Sequence, residues 1–89
     1  MNRYLAFQKV VELGSFTKAA EVLGYTQPAM SQMITSLEKE LSIKLLYRSR
    51  YGVRLTLEGE RLFPSIRQMV AQYQSMQEIA GEIRGLDAG

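Results

Sequence analysis

A chain of 89 residues, 46% of them apolar, is long enough for one small folded domain with an appendage and too apolar for a disordered one. It has no cysteine and no histidine, which excludes disulfides, thiolate or imidazole metal sites and the commonest nucleophiles and general bases, so no enzyme is expected. The net charge of +2 is unevenly spread: residues 1–56 carry eight Lys or Arg against four Glu, whereas residues 57–89 carry three Arg against five acids, and the basic part inclines toward an anionic partner such as nucleic acid.

The opening MNRYLAFQKVV has no apolar leader and no run approaches a membrane span, so a cytoplasmic protein without a membrane partner is expected. Apolar positions 4, 7, 11 and 6, 10, 13 predict a first helix over Asn2 to Leu13, stopped by Gly14. Ser15 suits the N-cap of a second helix with Ala19, Ala20 and Leu23 inside, and Gly24 ends it. Thr26 caps a third, with Pro28 in the first turn where a missing N–H costs nothing. Met30, Ile34, Leu37 and Leu41 form its buried stripe, and Gln27, Pro28, Ser31, Gln32 and Thr35 fall on the opposite face. The sixteen residues from Val22 to Leu37 hold no Asp, Glu, Lys or Arg, so that outward face is polar but uncharged.

After Leu41, LLYRS and VRLT read as two short strands joined by Arg50-Tyr51-Gly52. Thr56 then caps a final helix with Glu58 and Glu60 in its first turn, and Pro64 is expected to bend it or loosen a hydrogen bond near residue 60. Leu62, Ile66, Met69, Tyr73, Met76, Ala80 and Ile83 follow at coiled-coil spacing. The opening domain is too small to cover so long a stripe, so a second copy of the same helix is the economical partner, in a homodimer or higher homo-oligomer. The expected division is a small basic domain over 1–56, a linker and dimerisation helix over 57–84, and a tail or hinge over 85–89.

Two short helices about a glycine turn, the second with a polar outer face, describe a helix-turn-helix, and Ala20, Gly24 and Met30 have the spacing for close approach, turn and lock. In their order and spacing, GSFTKAA, TQPAMS, SLEKEL and LTLEGE closely resemble the N-terminal region of LysR-type transcriptional regulators, over nearly the whole chain. The resemblance implies a mainly α fold, a winged helix-turn-helix of three helices and a short β-hairpin, followed by a long helix through which two subunits dimerise. It implies sequence-specific binding to double-stranded DNA at an interrupted inverted repeat. It also implies that the chain is a piece of a longer protein: no cofactor is expected here, and a small-molecule effector belongs to the full-length molecule. Ser42, Lys44 and Leu46 depart from the family's usual Gly, Pro and Phe.

Chemically, a helix in the major groove needs short or planar donors and acceptors. Gln27 and Gln32 suit base edges, and the ring of Pro28 and the methyl of Thr35 suit a thymine methyl. Ser15, Thr17, Thr26 and Ser31 suit phosphates; the resemblance supports the same roles at Gln27, Pro28, Ser31 and Gln32, and phosphate contact near Ser15 and Thr17. Arg50 suits the minor groove, with Arg48, Tyr51 and Arg54 near the backbone. Each has a plainer reading: Thr26 as a cap, Pro28 as a helix starter, Arg48 as a structural ion-pair partner, Tyr51 as a turn aromatic. An oligomerisation or protein-interaction module without specific DNA binding is the alternative at this stage.

Overall fold

The computed structural model describes the backbone of residues 1–88 and the side chains of residues 1–86. Three helices, a hairpin and a long helix follow in order: α1 (Asn2–Leu13), α2 (Phe16–Leu23), α3 (Gln27–Leu41), β1 (Leu46–Ser49), β2 (Gly52–Leu55) and α4 (Leu57–Ala88). This is the expected winged helix-turn-helix with its long following helix.

Local signals account for the helix ends. Ser15 Oγ accepts from the Lys18 N–H at 3.1 Å, and Thr26 Oγ1 accepts from the Ala29 N–H at 3.2 Å. Gly24 closes α2 with φ +78°, a left-handed conformation that costs glycine little, and the Tyr25 N–H returns to the Ala20 carbonyl at 2.9 Å. This turn sets the angle at which α3 leaves α2.

The core lies where α1, α2 and α3 converge. Ala6, Phe7 and Val10 meet Phe16, Ala19 and Ala20, and beneath them Met30, Ile34 and Leu37, all buried. Burying a side chain such as Phe7 stabilises the fold by about 1.5–3 kcal/mol. At the far edge Arg3 and Tyr4 of α1 both reach Glu40 of α3, the tyrosine hydroxyl donating at 3.0 Å. The Arg3 guanidinium, and after it the Tyr4 hydroxyl, hold the Glu40 carboxyl below the usual carboxylate range; burial, and then Glu40, push the Tyr4 phenol up.

The hairpin is antiparallel, pairing Leu46 with Leu55 and Ser49 with Gly52 across a two-residue tip, Arg50-Tyr51. Glu38, on α3, ties it to the helices: its Oε2 accepts from the Leu45 and Leu46 N–H groups at 2.7 and 3.2 Å. Thr56 does the same for α4. Its Oγ1 donates to the Lys44 carbonyl at 2.6 Å and accepts from the Gly59 N–H at 2.9 Å.

Helix α4 has two sides along its first half. Gly59, Phe63, Ile66 and Val70, spaced four, three and four, face the domain, and the Phe63 ring meets Phe7 edge-on with centroids 6.0 Å apart. Ile66 is buried in this chain's own core and Leu62 is half-buried against it, so these two members of the expected seam also serve the domain. Met69, Met76 and Ile83 stand exposed, with Tyr73 and Ala80 half-buried; Ile79, missed in the sequence pattern, is exposed beside them. The reason is angular: a four-residue step overshoots one turn by about 40°, so a 4-4 run from Leu62 through Ile66 to Val70 rotates onto the inner side. Pro64 lies within the helix on its solvent side. Residues 85–88, within the expected tail or hinge, continue the helix from Gly85 to Ala88; Gly89 lies outside the described residues.

Candidate nucleic-acid interface

The face of α3 opposite the core carries Gln27, Pro28, Gln32 and Thr35 exposed and Ser31 half-buried. These positions form two adjacent ridges, 27-31-35 and 28-32-35, because residues three and four apart are neighbours on a helix. The Thr26 cap leaves Gln27 and Pro28 in the first turn of α3, where both are exposed.

Beside the 27-31 ridge lies a cleft between α3, the start of α2 and the wing. It brings together Ser15, Thr17, Gln27, Ser31, Arg48, Arg50 and Tyr51, seven of the residues singled out from sequence. Ser15 Oγ is occupied as the α2 cap, but its hydroxyl hydrogen is available to donate. The first-turn N–H groups of Phe16 and Thr17 have no intrahelical acceptor, so the α2 end of the cleft is a natural anion cradle. Among the described residues no carboxylate lines this cleft, while two arginines do.

The wing arginines do not act alike. Arg50 at the tip folds over Tyr51, its guanidinium carbon 5.0 Å from the ring centroid and Nη2 donating to the tyrosine hydroxyl at 2.8 Å. Ser49 Oγ accepts the Tyr51 N–H at 3.1 Å and shapes the tip; sequence reasoning gave Ser49 no role. Arg48 turns inward to Ser31 Oγ at 2.6 Å and stacks over Phe16 at 4.3 Å. The expected ion-pair alternative for Arg48 is replaced by these neutral partners. Arg54 pairs across the strands with Tyr47 on the opposite face of the hairpin, in a groove with Leu57 and Glu60 of α4, away from the cleft. Thr26, Pro28, Gln32 and Thr35 also lie outside the cleft, on the open surface of α3.

Among the described residues no helix is long and apolar enough to cross a membrane, and no group of His, Cys, Asp or Glu is placed to hold a metal ion.

Comparison with known proteins points the same way. Residues 1–60 match the family described as bacterial regulatory helix-turn-helix protein, lysR family. The chain is 39% identical over 84 residues to the uncharacterised HTH-type transcriptional regulator YvbU of Bacillus subtilis (strain 168), covering 93% of this chain and 29% of YvbU. It is 44% identical over 76 residues to the nitrogen assimilation regulatory protein nac of Escherichia coli (strain K12), covering 85% of this chain and 25% of that one. It thus spans less than a third of these relatives' length. Among solved structures, the BenM DBD in complex with catB site 1 DNA superposes with a TM-score of 0.83 at 35% identity, covering 92% of each chain.

Proposed function

The chain belongs to the lysR family of bacterial regulatory helix-turn-helix proteins, and from that premise we propose that it binds a specific double-stranded DNA sequence as the DNA-binding module of a dimeric transcriptional regulator. The observation that carries this reading is the uncharged face of α3 beside a cleft with two arginines and, among the described residues, no acid. Cations near the backbone supply affinity, whereas neutral short side chains can be satisfied only by particular base edges.

In this reading residues 1–56 contact DNA and residues 57–84 form the dimerising linker, with 85–89 leading toward the rest of a longer protein. Helix α3 enters the major groove; Gln27 and Gln32 read base edges, and Pro28 and Thr35 offer apolar contact to thymine methyls. Ser15, Thr17 and Thr26, at the two helix starts, and Ser31, one turn into α3, hold phosphates. Arg50 and Tyr51 reach the minor groove or its edge, and Arg54 reaches the backbone only where DNA passes the outer face of the wing. The two-fold symmetry of a dimer calls for an interrupted inverted repeat. A cytoplasmic location goes with this role, and any small-molecule effector acts on the full-length protein. No catalytic step is assigned.

Selection of bound duplexes from a random pool tests the proposal: an interrupted inverted repeat should emerge. On that duplex Gln32→Ala should cost roughly 1–3 kcal/mol and relax preference at one base position. Arg50→Ala should instead weaken binding to all sequences alike and reduce the salt slope by about one. Equal affinity for every sequence, with and without Gln32, would sink the base-reading assignment.

A further inference from the structure

Arg48 stands apart from the other wing cations. In β1 it shares the inner face of the hairpin with Leu46, since residues two apart point the same way, and its cross-strand partner is Val53. Its guanidinium carbon lies 4.3 Å from the centroid of the Phe16 ring, and Nη1 donates to Ser31 Oγ at 2.6 Å. Phe16 is a core residue on the first turn of α2, and Ser31 belongs to the outer side of α3. One planar cation therefore joins the wing to both helices of the helix-turn-helix. A lysine could not reproduce this, because an ammonium has neither a flat face to lie on the ring nor a fork of fixed N–H groups.

The consequence falls on Ser31. A serine hydroxyl donates one hydrogen bond and accepts up to two. With a charged N–H already directed at its oxygen, the Ser31 O–H turns away from the guanidinium and is left to donate, more strongly because hydrogen bonds in a chain polarise one another. We propose that Arg48 is a positioning residue that acts on DNA through Ser31. It sets Ser31 as a donor toward an acceptor on the nucleic acid, a phosphate oxygen or an acceptor atom of a base edge. This rests on the DNA-binding reading above.

Two measurements test it. In the free 89-residue chain, the Arg48 Nε–H resonance should be shifted by the Phe16 ring current away from those of Arg50 and Arg54, and Phe16→Leu should remove the shift. An Arg48 signal with no ring-current shift overturns the stacking on which the proposal depends. Anisotropy titrations against the duplex selected by the wild-type chain supply the second readout, with each variant's melting transition recorded to show that it is folded. Arg48→Lys keeps the charge, so a direct phosphate contact predicts near-normal affinity, whereas positioning predicts about tenfold weaker binding with an unchanged salt slope. Ser31→Ala should show a similar loss, and adding Arg48→Lys to it should change nothing further. Arg48→Lys binding within about twofold of wild type, or losses that multiply in the double variant, overturns the proposal. A wild-type chain that selects no duplex defeats the DNA-binding reading itself, and so is distinct from a failure of Arg48 alone.

Discussion

Ser42 holds a left-handed conformation, φ 55° and ψ 37°, at the C-terminal cap of α3. The 39–42 and 38–43 backbone hydrogen bonds close this end of the helix, so the conformation is imposed by the chain's departure toward the wing. A side chain there costs about 1–2 kcal/mol relative to glycine, partly offset by glycine's greater freedom when unfolded. Ser42→Gly should therefore raise stability by about 0.5–1 kcal/mol in a urea melt, with DNA affinity unchanged because the position is remote from the α3 face. At this scale the sequence is informative wherever partners are three or four residues apart: Ser15 with Lys18, Thr26 with Ala29, Thr56 with Gly59. It is silent on Arg48 with Phe16, which are far apart in the chain and share no local motif. The grip of Glu38 on the Leu45 and Leu46 N–H groups likewise has no signal in periodicity.

At the scale of elements, the junction of hairpin and α4 decides how the wing is held. Helix α4 begins so close to the strand entry that a Cβ at Gly59 would lie 2.4 Å from the Leu45 carbonyl oxygen and 3.1 Å from Leu55 Cδ2. A backbone oxygen cannot swing aside as a side-chain end can, and that same carbonyl accepts the Thr56 N–H at 3.0 Å. Gly59→Ala would gain about 1 kcal/mol of helix propensity yet should still destabilise the domain by about 1–3 kcal/mol, through displacement of α4 from the wing. Equilibrium unfolding checks the sign; a more stable alanine variant would mean that the junction relaxes freely. The existence and order of the elements were legible because each helix has a cap, a stripe and a stop. The start of the first strand differs by one residue from the expected run, because Leu45 is fully buried and bound to Thr56 and Glu38 rather than paired across the hairpin.

The whole molecule measures 51 × 26 × 20 Å, and its long dimension matches the roughly 48 Å length of a 32-residue helix. Among the described residues, Leu62, Phe63, Ile66 and Val70, all in the first half of α4, pack in or against this chain's core. Beyond Val70, Met76, Ile79 and Ile83 are each 53% exposed, a run of apolar side chains that a single soluble domain does not ordinarily leave open. Met76→Asp should give a monomer by light scattering and greatly weaker binding to an inverted repeat, while leaving the melting of the small domain little changed. A variant that stays dimeric and fully active would place the contact between copies elsewhere. By itself the sequence determined the helix-turn-helix, its uncharged face and the amphipathic length of α4, because these depend on caps, glycine turns and periodicity within a few residues. Only the tertiary structure decided that Ile66 belongs to this chain's core, that Arg54 faces away from the cleft while Arg48 faces into it, and that Gly59 must be small. Those outcomes depend on helix rotation, strand facing and backbone approach between segments that meet only after folding.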